Sequence, residues 1–171
     1  MQHTIILETK RLLLRRFVMD DLDALFALYS DPSVVQYIPD APRTYDETQE
    51  ELEWFMHGHP RFPELGLWAT IYKETRQFIG RCGLLPWTID GQHEVEVAFA
   101  FSKVYWGLGL GTEVAQALAQ YGFEQLQLSR LICLIDLENR ASIRVATKIG
   151  MTFEKEGEDE KGPFLLYALN K

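Results

Sequence analysis

Cysteine, positive charge and long apolar runs are all scarce in this chain, and each shortage excludes something. Only two cysteines occur in 171 residues, Cys82 and Cys133, and both sit inside apolar, strand-like runs. They read as small buried hydrophobes of a reducing compartment and exclude a disulfide scaffold. Lys and Arg number 17 against 25 Asp and Glu, a formal net charge of −8. Such a chain lacks the basic footprint of nonspecific nucleic-acid binding, so no DNA or RNA partner is expected. The longest apolar runs, such as Leu131 to Ile135, fall far short of the roughly 20 residues of a membrane span. Glu8, Lys10 and Arg11 interrupt the first apolar stretch, which does not resemble a cleavable secretory signal. No membrane association is expected, and the cytoplasm is the default location. His57, His59 and His93 lack metal-ligand spacing, so no metal is expected either.

What is present fits one domain spanning 1–171, with no internal repeat and no low-complexity linker. Leu12 to Phe17 predicts a first strand. Asp20-Asp21 before Leu22, Leu25, Phe26, Leu28 and Tyr29 predicts a helix with an acidic start, ended by Asp31-Pro32. A second amphipathic helix spans Thr44 to His57. Strands follow at Leu67 to Tyr72, Gln77 to Leu85 and Glu94 to Ser102, with short connectors (Lys73 to Arg76, Pro86 to His93) that favour antiparallel hairpins. A long helix then carries Leu110, Val114, Leu118 and Tyr121 on one stripe. Leu131 to Asp136 is apolar on both faces, as a central strand would be. A helix from Asn139 to Ile149, closed by Gly150, precedes two last strands, Met151 to Glu156 and Phe164 to Asn170. The sum is an α/β (α+β) fold: a mixed, mostly antiparallel sheet of six to seven strands with helices on both faces. Two acidic stretches, Asp46 to Glu53 and Glu154 to Glu160, are either solvated faces or a rim that attracts a cationic substrate.

The feature with the most chemistry is Trp106-Gly107-Leu108-Gly109-Leu110-Gly111-Thr112, which opens the long helix. Glycines let backbone N–H groups converge on an anion, and the helix N-terminus adds roughly half a positive charge. A nucleoside-triphosphate loop is excluded, because no Lys-Ser/Thr follows the glycines. A dinucleotide fingerprint is disfavoured by Thr112 at its sixth position, by the antiparallel-looking strands before it, and by Ser102 to Tyr105, which lengthen the turn.

Strand, then Tyr105-Trp106-Gly107-x-Gly109-x-Gly111-Thr112-Glu113, then helix resembles the acetyl-coenzyme A motif of the GNAT superfamily, in its RimJ/RimL-like branch. The resemblance covers nearly the whole chain. Thr9-Lys10-Arg11-Leu12 with Leu14-Arg15 looks like the branch's opening strand, and Asp20-Asp21 with Asp31-Pro32 like its first helix. Asn139-Arg140-Ala141-Ser142, with Val145, Lys148, Gly150 and Met151, looks like its second hallmark. The resemblance implies a GNAT-type N-acetyltransferase that moves acetyl from acetyl-CoA to an amine acceptor, a protein N-terminus or a small molecule. A non-catalytic coenzyme A-binding module is the alternative within the fold. The resemblance also implies that the pyrophosphate lies across Leu108 to Thr112, so Trp106, Gly107, Leu108, Gly109, Leu110, Gly111 and Thr112 bind the co-substrate. Trp106 departs from the Gln or Arg usual at its position, which removes a charged or amide phosphate contact.

Acetyl transfer needs a neutral amine, a polarised carbonyl and a stabilised leaving thiolate. Period-2 reading of Glu94 to Phe101 puts Glu94, Glu96, Ala98 and Ala100 on one face and Phe99 and Phe101 on the other. The resemblance sets this strand beside the thioester, with Phe99 and Phe101 in the co-substrate wall. Glu96 is the candidate general base, or else a salt-bridged or solvent-facing strand glutamate; Glu94, nearer the strand end, reads as surface. Asn139 suits a helix N-cap, and by resemblance it also bonds the pantetheine arm. Many superfamily members carry a proton-donating tyrosine seven positions after this asparagine; here that position is Ala146. Ser142 is therefore the candidate acid and a further co-substrate contact. Acceptor specificity is expected from Tyr37 to Asp46, the helix around Trp54, and Glu158 to Pro163. Tyr37, Trp54, Trp68 and Trp87 read as core rather than substrate cage. Monomer and homodimer both remain open.

Overall fold

Strands apolar on both sides require cover on both sides, and this chain supplies it with two separate groups of helices. The structure, a computed structural model, describes residues 3–171. Its strands are β1 (Ile5–Glu8), β2 (Leu12–Arg15), β3 (Gly66–Tyr72), β4 (Gln77–Ile89), β5 (Gln92–Phe101), β6 (Arg130–Ile135), β7 (Thr152–Asp159) and β8 (Gly162–Asn170). They form one sheet in the order β1-β2-β3-β4-β5-β6-β8-β7. Every pairing is antiparallel except β5 with β6. The helices are α1 (Leu22–Tyr29), α2 (Pro32–Val35), α3 (Tyr45–Met56), α4 (Leu110–Glu124) and α5 (Arg140–Lys148).

The mixed α/β fold is as expected, with eight strands rather than six or seven. The extra one is β1, four residues long and only half-buried, too brief for its alternation to stand out. Asp31-Pro32 does more than end a helix. The Asp31 carboxylate accepts from Ser33 N at 2.8 Å and, with Pro32 in the first turn, starts α2. α3 begins as a reciprocal capping box: Glu47 N donates to Thr44 Oγ at 3.1 Å, and Thr44 N donates to the Glu47 carboxylate at 3.1 Å. The connector expected at Pro86 to His93 shrinks to Asp90-Gly91, both at positive φ, the geometry of a two-residue hairpin turn. β4 can run through Pro86 because its pairing with β3 ends at Leu84; beyond that point β4 has β5 alone as neighbour, and proline is tolerated there.

On one face, α4 and α5 pack Leu110, Val114, Leu118 and Ala146 against Leu12, Ile79, Val97 and Leu131. On the other, α1, α2 and α3 pack Leu25, Leu28, Val34, Leu52 and Phe55 against Leu67, Ala69 and Ala100. The start of α1 is fixed by charge. Arg15 grips Asp21 through two bonds of 2.8 Å each, and Val18 N donates to the same carboxylate at 2.9 Å. α5 ends in a Schellman pair, Gly150 N to Thr147 O at 3.1 Å and Met151 N to Ala146 O at 3.0 Å. Among the described residues no helix is long and apolar enough to cross a membrane.

Candidate active site

The glycine loop lies between β5 and α4, and therefore inside a strand-helix-strand unit whose two strands are parallel. The antiparallel neighbours earlier in the chain did not reveal this, and strand order alone no longer disfavours a dinucleotide. Thr112 and the single 3-10 turn at Lys103–Tyr105 still do. Gly107 and Gly109 have φ of 76° and 78°, a region most side chains avoid. Gly109 is the residue before α4 and offers no side-chain cap. The first amides of that helix, Leu110, Gly111 and Thr112, find no acceptor in the described chain; Glu113 N, bonding Gly109 O at 3.1 Å, is the first that does. Those amides open onto a cleft of about 1030 Å³. Trp106 turns its indole back, Nε1 donating to Phe101 O at 2.8 Å. Leu108 is the loop residue outside the cleft lining: its side chain is in solvent and its carbonyl accepts from Arg11 Nη1 at 2.8 Å.

Arg11 and Glu113 are the loop's hidden supports. Glu113 accepts from Arg11 Nε at 2.7 Å, Arg11 N at 2.9 Å and Thr9 Oγ at 2.6 Å. Burial pushes this carboxyl up, but the bonds from Thr9 and Arg11 outweigh it and hold its pKa below the usual range. The β1–β2 turn is thus tied to the first turn of α4, and a guanidinium stands beside the loop. Arg144 and Lys148 on α5 bring further positive charge to the cleft wall.

β5 and β6 meet at one register pair, Glu96 with Ile132, and then diverge. Val97, Ala98, Phe99 and Phe101 line one side of this opening and Cys133 to Asp136 the other. With no β6 amide opposite, Val97 O accepts the weak Cys133 Sγ donor at 3.5 Å. Burial pushes both free thiols well up, which suits structural rather than nucleophilic cysteines. Phe99 and Phe101 both belong to the α4 side of the sheet, opposite Ala98 and Ala100, as the period-2 reading requires.

Glu96 stands at the base of the opening. Burial raises its pKa to about 7, against the opposing pull of the Trp87 indole, Arg81, the Leu134 amide and Lys161. Trp87 Nε1 donates to Glu96 Oε2 at 2.6 Å, and no cation among the described residues pairs with it directly. A carboxylate at that value interconverts near neutral pH. Glu94 is different: Arg130 Nε bonds both its oxygens at 3.1 Å, so it is a half-buried partner of an ion pair rather than plain surface.

Asn139 caps α5, its Oδ1 accepting from Ser142 N at 3.2 Å. Asn139, Ser142 and Val145 all line the cleft. The Ser142 hydroxyl makes no hydrogen bond to the described chain, unlike Thr147, whose hydroxyl bonds back to Ile143 O at 2.8 Å. Ala146 is 1% exposed and faces the core, off the Asn139–Ser142–Val145 line.

The three segments expected to select the acceptor do converge. Tyr37 to Asp40, Trp54, Asp159 and Lys161 to Pro163 line the same cleft, and Lys161 forms an ion pair with Asp40 across it. Of the four aromatics read as core, Trp68 alone is buried, at 1% exposed. Tyr37, Trp54 and Trp87 line the cleft, and Lys161 Nζ sits 4.5 Å over the Trp87 ring. The acidic stretches are mostly solvated faces, contributing only Glu51 and Asp159 to the lining. No group of three or more metal-ligating side chains occurs among the described residues.

Residues 11–152 match the Acetyltransferase (GNAT) domain family. The chain is 35% identical over 162 residues to the Bacillus subtilis protein YkkB, covering 94% of this chain and 93% of that one. It is 31% identical to the uncharacterized N-acetyltransferase p20 of Bacillus licheniformis, covering 88% and 83%. Its fold superposes on a GNAT-family acetyltransferase from Bacillus anthracis with a TM-score of 0.82 at 27% identity, covering 98% of each chain. A strand pair opened beside an uncapped helix start, matched by family along most of the chain, leads to one assignment: this chain belongs to the GNAT acetyltransferases.

Proposed function

We propose that this protein transfers an acetyl group from acetyl-CoA to the primary amine of an acceptor within one ternary complex. The observation that carries the reading is a convergence in a single cleft. The free amides of Leu110 to Thr112, the β5–β6 opening and the Glu96 carboxylate all face it. The site fits acetyl-CoA: uncapped amides and Arg11 suit a pyrophosphate, and the narrow opening suits a slender pantetheine arm bonded by Asn139. Phe99, Phe101 and Val145 supply its apolar wall. The co-substrate brings an activated acetyl group; the chain supplies position and proton transfer.

Glu96 takes a proton from the acceptor ammonium, directly or through water, at Oε1, since Oε2 holds the Trp87 indole, and passes it to solvent. The neutral amine nitrogen then forms a bond to the acetyl carbon as the carbon–sulfur bond breaks, and the nitrogen sheds its second proton to Glu96 or water. Ser142 Oγ gives its proton to the leaving sulfur and regains one from water, so the amide, the thiol and one net proton are the products. A non-catalytic coenzyme A-binding module needs the loop alone; a carboxylate near pKa 7 and an unbonded hydroxyl in the same cleft support catalysis. The RimJ/RimL-like reading, with a protein N-terminal amine as acceptor, rests on the Thr9 to Leu12 and Asn139 to Met151 segments. The test is free-thiol release from acetyl-CoA across peptides, amino acids and polyamines. Amine-dependent release with an acetylated product supports the proposal, and no release with any amine overturns it.

A further inference from the structure

Deep in the same cleft, on the face opposite α4, lies a charge that acetyl transfer itself leaves unused. Arg81 on β4 is 7% exposed and lines the cleft. A guanidinium has five N–H donors, and the chain engages one: Nε donates to Tyr29 Oη at 2.9 Å. That phenol donates in turn to Glu51 Oε2 at 2.6 Å. The two terminal nitrogens make no hydrogen bond to any described residue and are not sealed from the cleft. Arg81 takes part in no ion pair with any described residue, so its forked end is a buried cation with its strongest donors unspent.

The carboxylates around it, by contrast, are occupied. Asp40 holds Lys161, Glu51 holds the Tyr29 phenol, and Glu96 holds the Trp87 indole. Asp136 and Asp159 accept backbone amides of their own turns, Glu138 N and Lys161 N. The acidic lining therefore offers less to a polycation than its residue types suggest.

Arg81 and Glu96 project from the same sheet face, because Arg81 pairs with Ala100 and Leu85 with Glu96 on the adjacent strand. On that face Ala100 lies opposite Arg81 and Ala98 lies between the two charges, opposite Gly83, and both short side chains line the cleft. The two are close enough for the guanidinium to hold down the Glu96 pKa.

We infer that Arg81 receives a carboxylate on the acceptor, so that the preferred acceptor is a small amine bearing a carboxylate, an amino acid or a close relative. The amine lies at Glu96 and the carboxylate accepts the bidentate fork of Arg81. The inference rests on the acetyltransferase reading above. It also parts from a protein N-terminus, where the carboxylate near the amine has become an amide.

The experiment compares thiol release by the full chain with free amino acids, their carboxamides and polyamines at one pH. The expected kcat/KM for the acids exceeds that for the matched carboxamides by at least about tenfold, although the amides hold more neutral amine. In Arg81→Gln the acid-to-amide ratio should fall close to one, mainly through KM for the acid; retained stabilisation by coenzyme A shows that the variant folds. If it does not fold, the wild-type protein with coenzyme A decides, by whether an N-acetyl amino acid raises Tm more than its carboxamide does. Equal or better use of carboxamides or polyamines overturns the inference and leaves acetyl transfer standing. No release with any amine overturns both.

Discussion

Glu96 is caught between two demands. Removal of the carboxylate from water favours its neutral form, while the Trp87 N–H at 2.6 Å and the Arg81 charge favour the ion; burial wins, and the pKa rises to about 7. As a base it is active above that value, so kcat/KM should carry an acidic limb near pH 7. Glu96→Gln should lower the rate by about 10²-fold or more at neutral pH and far less above pH 9, where free amine is abundant. A limb that persists unchanged in the variant removes Glu96 as the base. The same shift has a stability consequence with a fixed sign. A carboxyl raised in the native state binds more protons there than in the unfolded chain between pH 4.5 and 7, so wild-type stability falls across that window. The full cost, at most about 3 kcal/mol, is present above pH 7. Thermal melts should show Glu96→Gln gaining on wild type from pH 5 to pH 8. The candidate Glu96 was legible because a carboxylate in an alternating apolar strand stands out. Its partner Trp87 was not, since the hairpin register that pairs Trp87 with Glu94 depends on β4 running through Pro86.

At the scale of elements, the glycine loop acts through backbone conformation rather than through space. A side chain at Gly109 would meet nothing nearer than Arg11 Nη2, at 3.7 Å, yet its φ is 78°. Crowding is therefore not what excludes valine there. The left-handed backbone costs an L-residue roughly 1–2 kcal/mol, more with a branched β-carbon. Gly109→Val should weaken acetyl-CoA binding by about tenfold or more while leaving the distant half of the sheet intact. Titration calorimetry showing undiminished affinity would remove the loop from the binding site. The loop itself was plain in the sequence, because its glycine spacing and following helix are local. The tether of Arg11 and Thr9 to Glu113 spans more than 100 positions and arises only when β1 and β2 turn beside α4. The Arg81–Tyr29–Glu51 chain was hidden for the same reason: it joins β4, α1 and α3, and no local spacing relates them.

For the whole molecule, the sheet separates two faces. In the proposed reaction the α4–α5 face and the β5–β6 opening would form the co-substrate half. The α1–α3 face, with the β7–β8 turn reaching Asp40 through Lys161, would form the acceptor half, with Glu96 where the two meet. The overall pattern of strands and helices was readable from periodicity and turn residues. The parallel β5–β6 pairing was not, because sequence alternation gives a strand's faces but not its neighbour or direction. The co-substrate half makes the central claim testable by linkage. A ligand at 100 times its Kd stabilises the native state by about 2.7 kcal/mol, which for a chain of this size is a Tm shift of roughly 5–10 °C. The most direct measurement is thermal melting of the purified chain with acetyl-CoA, NAD, NADP and ATP in parallel. A rise of that order with acetyl-CoA and none with the other three is the predicted result; stabilisation by a dinucleotide or ATP with no response to acetyl-CoA would contradict it.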